Sequence, residues 1–237
     1  MRLLAFDGTA KLASVAVRED GKTFASYTID NGLTQSELLL PMAEDMLRSL
    51  KLGFSDIDCY ATSVGPGSFT GVRIGVSLIK GLAFGRDIPC VPVSTLEALA
   101  ENLRPLDGII VPCMDARRAQ VYNAVFECSG GKLRRLTEDR AVSLQQLSEE
   151  LEKYSGKRIY LSGDGYEIAR QYLLCKGVMC ESTPGALIGQ SASSVAAVAE
   201  RKLAAGETVS DRELSPIYLR MPQAERERLE RIKNERK

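Results

Sequence analysis

Histidine is absent from the 237-residue chain. With it go the commonest general base and the commonest metal ligand, which argues against a zinc or iron enzyme and against a Ser-His-Asp hydrolase. Net charge is missing too: 31 basic residues balance 31 acidic ones. The whole molecule is therefore no electrostatic magnet for nucleic acid, and any RNA contact would have to be local or made through a partner. No Cys-x-x-Cys pair exists among Cys59, Cys90, Cys113, Cys128, Cys175 and Cys180, which read as reduced, mostly buried thiols. No apolar run approaches a membrane span, and Asp7 falls too early for a secretory signal, so a cytoplasmic protein without a membrane partner is expected.

What the chain does contain, at 44% hydrophobic and 26% charged, suffices for one large domain or two modest ones with real cores. Its most informative stretch is Ser63-Val64-Gly65-Pro66-Gly67-Ser68-Phe69-Thr70-Gly71-Val72-Arg73-Ile74-Gly75, a glycine-rich turn leaving an apolar strand and entering a helix. Such a turn offers unpaired N–H groups at the positive end of a helix, which suits a phosphate or carboxylate. The Gly-Lys-Ser/Thr ending of a nucleotide P-loop is nevertheless lacking, and Pro66 has no N–H to donate.

Segments 2–7, 11–18 and 22–29 read as an antiparallel meander turned at Asp7-Gly8-Thr9 and Glu19-Asp20-Gly21. Thr34-Gln35-Ser36-Glu37 has capping-box spacing and predicts a helix to about Lys51, with Pro41 as a kink or a true first turn. A strand at 58–64, a helix at 70–85, a strand at 89–93 and a helix at 95–103 complete a first lobe over 1–105. A second lobe over 106–220 reads as strands at 108–113, 119–127 and 133–140, a helix at 143–153, a strand at 158–162 and helices near 165–174 and 189–204. Residues 221–237 turn to Glu and Arg and predict a charged tail or solvated terminal helix. Alternating strands and helices mean an α/β protein.

Two helices are too apolar for one core. On the first, Leu38, Leu39, Leu40, Met42, Ala43, Met46, Leu47 and Leu50 fill about half the circumference at ~100° per residue. On the second, only Arg73, Ser77 and Lys80 mark a polar line, and Gly71, Gly75 and Gly81 each cost roughly 1 kcal/mol relative to alanine. Such a cost makes sense where another backbone approaches closely, either in this chain or in another. Packing against the sheet would explain each helix alone. Together they point to a protein interface made by Leu38, Leu39, Met42, Met46, Gly71, Val72, Gly75, Val76 and Ile79.

Asp7-Gly8-Thr9 resembles the first phosphate loop of the actin, sugar-kinase and Hsp70 superfamily, although Asp-Gly is also a common tight turn. Met114-Asp115-Ala116-Arg117-Arg118 opens the second lobe at the equivalent place, while Ser162-Gly163-Asp164-Gly165 reads as a strand-to-helix turn. Candidate phosphate-loop residues are thus Asp7, Gly8, Thr9, Gly67, Ser68, Thr70, Arg73 and Asp115. No metal-ligand cluster is evident.

Asp7-Gly8-Thr9, Ser36-Glu37-Leu38-Leu39-Leu40-Pro41 and the Gly65–Gly75 motif, with Val93-Ser94-Thr95-Leu96, Met114-Asp115-Ala116-Arg117 and Pro216-Ile217-Tyr218-Leu219-Arg220, resemble the TsaB (YeaZ) family from Met1 to about Arg220. That resemblance implies a two-lobed actin-like (ribonuclease H-like) fold with mixed sheets flanked by helices. It implies a non-catalytic subunit paired with TsaD in making N6-threonylcarbamoyladenosine at position 37 of tRNAs that read ANN codons. TsaE and the carbamoyl-adenylate synthase TsaC would act indirectly, and tRNA would be met through the complex. No intrinsic cofactor is implied; ATP and a metal ion would enter through partner subunits. The TsaD contact would fall on the first two helices, which could also hold a homodimer when the partner is missing. Gln35 departs from the family, many members of which carry histidine there.

The rival reading is an autonomous ATP-dependent enzyme of the actin-like superfamily, with Asp7 and Asp115 on magnesium and the Gly67–Gly71 turn on phosphate. A glycopeptidase has no metal centre and no Ser-His pair to rest on.

Overall fold

A computed structural model describes residues 1–220; the expected charged tail at 221–237 lies outside the described residues. Strands β1 (Arg2–Asp7), β2 (Ala13–Glu19) and β3 (Lys22–Ile29) form the predicted meander. Helix α1 (Gln35–Ser49) leads to β4 (Cys59–Gly65), and α2 (Phe69–Ala83) leads to β5 (Cys90–Ser94). These give a five-stranded sheet in the order β3-β2-β1-β4-β5, with β4 and β5 parallel to β1. The capping box forms, the Thr34 N–H donating to Glu37 at 2.9 Å, and α1 runs continuously through Pro41.

The period-two alternation of strands assigns the two faces of this sheet. Leu4, Phe6, Val15, Val17 and Tyr60 point to α1 and α2, whose Leu39, Met46, Val72, Val76 and Ile79 close the first core. Leu3, Ala5, Ala16 and Ala61 point the other way, against α3 (Thr95–Asn102) and α6 (Ala192–Ala204). Alanines on both sides of that contact let α6 lie close to the sheet.

The second sheet grows from β6 (Gly108–Asp115), with β7 (Gln120–Asn123) and β8 (Phe126–Ser129) along one edge and β11 (Ile159–Ser162) parallel on the other. Strands β9 (Lys132–Arg135) and β10 (Arg140–Ser143) extend it. The sequence reading of single strands at 119–127 and 133–140 is corrected, since each breaks in two. Pro112 supplies the reason: it has no N–H for the ladder, pairing lapses between Ile110↔Phe126 and Cys113↔Asn123, and the Asn123 Nδ2 donates to the Pro112 carbonyl instead. Helices α4 (Leu144–Leu151) and α5 (Tyr166–Cys175) cover the outer face. On the inner face, Leu96 and Leu99 of α3, with Leu103 just beyond its end, pack against Ile110, Phe126 and Tyr160, so α3 is shared by both sheets.

The lobe boundary is also corrected. Residues 106–220 do not all belong to the second lobe, because the chain returns to the first sheet at α6. Beyond it, Cys90 pairs with Val209 and the Ile217 N–H donates to the Val64 carbonyl at 2.8 Å. The buried Glu101 carboxylate ties this crossing together by accepting from Arg201 at 2.7 and 3.1 Å and from Arg104 at 3.1 Å. No helix among the described residues is long and apolar enough to cross a membrane.

Candidate functional site

The two glycine motifs of the first lobe close on one another. Asp7, at the end of β1, is 1% exposed. Its Oδ1 accepts from the Thr9 N–H at 2.9 Å and the Thr9 hydroxyl at 2.7 Å, and its Oδ2 from the Ser63 hydroxyl at 2.7 Å. Burial pushes the carboxyl pKa up, against the opposing pull of the Thr9 and Ser63 hydrogen bonds. The Ser68 N–H donates to the Thr9 carbonyl at 2.7 Å. A Cβ on Gly67 would lie 2.5 Å from that carbonyl oxygen, and one on Gly71 would lie 2.0 Å from the Gly8 oxygen. One on Gly75 would meet Thr62 Oγ1 at 2.8 Å. These glycines exist so that α2 can seat on the chain's own β1 turn and β4; Gly81, by contrast, faces open space.

Between the lobes lies a cleft of about 440 Å³. Thr9, Lys11, Gly67 and Ser68 line it from the first lobe, Asp115, Arg117, Tyr122 and Asp164 from the second, and Tyr218 and Arg220 from the returning segment. The turn after β6 is unlike its counterpart after β1: Arg117, Arg118 and Ala119 all have left-handed backbones, with φ of 64°, 56° and 54°. Asp115 holds the turn by accepting from the Arg117 N–H at 2.7 Å, and the Arg220 guanidinium donates to the Ala116 carbonyl at 2.9 Å.

A second concavity of about 580 Å³ opens between α1 and α2, floored by Leu39 and walled by Leu40, Phe69, Ile74 and Leu78. Arg73 closes one end: its guanidinium lies 3.7 Å from the Phe69 ring centroid, Nε donates to the Tyr218 hydroxyl at 2.8 Å, and the Phe69 and Tyr218 rings stack at 4.8 Å. Gln35 anchors the start of α1, its Nε2 donating to the Ala10 carbonyl at 2.9 Å. This residue thereby pins the helix to the loop after β1.

The structure redistributes the residues expected to act. Leu38, Leu39, Met42, Met46, Gly71, Val72, Gly75, Val76 and Ile79 are all buried in the first lobe, so they are corrected from interface side chains to packing beneath the helices, except that Leu39 also floors the groove between them. The apolar part of the outer surface comes instead from Leu40, Pro41, Ile74 and Leu78, beside exposed Glu37, Glu44, Asp45 and Arg48 of α1 and Arg73 and Ser77 of α2. Among the phosphate-loop candidates, Thr9, Gly67, Ser68 and Asp115 do meet at the cleft. Asp7 is sealed beneath it, Gly8 is pressed against Gly71, and Thr70 and Arg73 face the helix groove. The rival magnesium-nucleotide arrangement does not fit these residues, because both oxygens of Asp7 are already committed within a desolvated site. Lys11, Tyr122 and Tyr218 were missed as cleft residues. Lys11 stands two residues after Thr9, a usable signal, whereas Tyr122 and Tyr218 reach the cleft only through the fold.

Comparison with known proteins agrees with this layout. The sequence model described as "TsaD: tRNA N6-adenosine threonylcarbamoyltransferase" matches residues 34–227. A Bacillus subtilis (strain 168) protein named tRNA threonylcarbamoyladenosine biosynthesis protein TsaB is 32% identical, over 95% of this chain and 96% of the relative. The protein of the same name from Escherichia coli (strain K12) is 30% identical, over 93% and 95%. Among solved structures, YeaZ from Pseudomonas aeruginosa superposes with a TM-score of 0.77 at 26% identity, covering 92% of this chain and 99% of that one.

Proposed function

The chain belongs to the TsaB family, and on that premise we propose that it serves tRNA threonylcarbamoyladenosine formation as a subunit that does no chemistry itself, pairing with TsaD through the outer faces of α1 and α2. The observation that carries the non-catalytic half is the sealed Asp7: a carboxylate that already accepts from three donors at 1% exposure is poorly placed to hold a metal or activate a nucleophile. What the first lobe leaves open is the apolar groove of Leu40, Phe69, Ile74 and Leu78. An apolar, concave helix pair suits the helices of a protein partner better than a charged small molecule. TsaD is the partner favoured, because the family resemblance implies it. ATP and metal would be handled on the partner's side, with TsaE and TsaC acting without a required contact here.

The outer-face substitutions Ile74→Asp and Leu78→Asp test this reading, because they leave the buried packing residues in place. Each should abolish co-elution with TsaD and reduce threonylcarbamoyl transfer in a reconstituted mixture by at least about tenfold, the loss expected when a charge enters an apolar interface core. Because Ile74 and Leu78 also pack partly against the first core, each variant should melt below the wild type, and the comparison is made on protein that circular dichroism shows to be folded. Unchanged transfer by a folded Leu78→Asp protein, or transfer by the isolated chain, would overturn the reading.

A further inference from the structure

Arg73 is exposed, yet two rings hold it at one end of the groove between α1 and α2. Phe69 stands one helical turn before it on α2, and Tyr218 reaches it from the returning segment. The guanidinium carbon lies 3.7 Å from the Phe69 ring centroid and 5.7 Å from that of Tyr218, whose hydroxyl accepts from Nε at 2.8 Å. That bond uses a single donor. Nη1 and Nη2, which carry the remaining N–H groups of the fork, meet no acceptor among the described residues. No carboxylate lines the groove, and of the exposed acids on α1 Glu37 is held by Thr34 and Asp45 by Arg48. A fixed cation beside an apolar concavity thus lacks a counter-ion within the described chain.

We propose that Arg73 is the polar anchor of this docking surface and that its counterpart is a carboxylate on the partner, an Asp or Glu flanked by the apolar side chains that fill the groove. The inference rests on the reading of α1 and α2 as the surface that meets TsaD. A guanidinium offers parallel N–H donors that match the two oxygens of a carboxylate, which a lysine ammonium does not. Stacking on Phe69 and Tyr218 orients those donors before the partner arrives, so less side-chain freedom is lost on binding. Leu40, Ile74 and Leu78 line the same groove, and a partner seated on them removes water from the pair beside them. Tyr218 is then a positioning residue. It fixes Arg73 from the far end of the chain without itself meeting the partner's carboxylate.

Affinity for TsaD, measured by titration calorimetry at low and high salt on full chains that circular dichroism shows to be folded, tests the proposal. At low salt Arg73→Gln should weaken binding by at least about thirtyfold, the loss expected when one member of a desolvated charge pair is removed. Arg73→Lys should lose about tenfold, since it keeps the charge without the fork. Tyr218→Phe, which keeps the ring but not the acceptor for Nε, should lose about threefold. High salt should weaken the wild type more than Arg73→Gln, a difference that a merely structural role for Arg73 would not produce. Arg73→Gln binding as tightly as the wild type, or losing affinity by the same factor at both salt concentrations, would overturn the proposal. Leu78→Asp separates the two readings: pairing lost there but kept in Arg73→Gln overturns the anchor alone, whereas pairing kept in Leu78→Asp overturns the groove and the anchor with it.

Discussion

The loop after β1 and the loop after β6 occupy equivalent places in the two lobes, and each begins with an aspartate, yet they have opposite fates. Asp7 is buried, triply hydrogen-bonded and covered by the glycine turn before α2. Asp115 keeps a partly exposed carboxylate that braces a left-handed turn, with the Arg117 side chain 85% exposed beside the cleft. What differs is where the cover lands. Gly67 and Gly71 let the start of α2 descend on Gly8 and Thr9 of the first loop. Gly163 and Gly165 let the start of α5 descend instead on Cys113 near the end of β6, with Asp164 accepting from the Asp115 N–H at 2.9 Å, and leave Arg117, Arg118 and Ala119 exposed. The same local motif becomes a packing joint in one lobe and a solvent-facing rim in the other.

The largest expected effect comes from forcing the cover off. Gly71→Ala places a Cβ against the Gly8 carbonyl and should destabilise the chain by about 3 kcal/mol in chemical denaturation. Gly81→Ala, on the same helix but in open space, should instead stabilise by up to about 1 kcal/mol. Equal effects at the two positions would undo the account of the joint.

An intermediate effect is expected at the sealed carboxylate. Asp7→Ala strands the Thr9 and Ser63 donors and should cost about 2 kcal/mol, whereas Asp7→Asn keeps one acceptor oxygen for the two Thr9 donors and turns its Nδ2 to the Ser63 hydroxyl, which can accept, and should stay within about 1 kcal/mol of the wild type. The sign of the pH dependence follows from the raised pKa. The folded state disfavours the ionised form, so the contribution of Asp7 to stability is greatest below its ordinary value of 3.8 and is lost as pH rises through the folded value. Stability curves of wild type and Asp7→Asn measured against pH should therefore diverge in that window, the variant lacking this decline. Reconstituted transfer activity should survive Asp7→Asn, an outcome that a magnesium role for Asp7 would forbid.

The smallest effect belongs to the open loop. Arg117→Gly removes a side chain from a left-handed position and should shift stability by no more than about 1 kcal/mol, toward stabilisation. The lost Arg117–Asp115 pair is too exposed to offset that gain appreciably. A loss of several kcal/mol, read from the denaturation midpoint, would mean that the second loop is as tightly built in as the first.

Much of the fold was legible because it depends on local signals. The meander, the capping box at Thr34, the Arg73–Ser77 polar line and the order of strands and helices follow from periodicity and turn residues that act within a few positions. The broken strands opposite Pro112 were not legible, since the gap opens in the partner strand rather than at the proline. The candidate interface was half legible: excess apolar residues on α1 and α2 were visible, but the most apolar positions are those the sheet claims first. Leu40, Ile74 and Leu78 remain for the surface because they lie at the edges of the stripe.

By itself the sequence determined the alternation that makes an α/β chain, the family motifs, and the exclusion of any chemistry that needs histidine. Tertiary structure alone decided which way each motif faces. The carboxylate of Asp7 is engaged, and the space beside Gly67 and Gly71 is taken, by segments some 60 residues away. The segment 217–220 completes the cleft from the far end of the chain. Hydrogen bonds and close contacts between distant segments leave no periodic trace in sequence, so the difference between a phosphate cradle and a packing joint appears only when the loops meet.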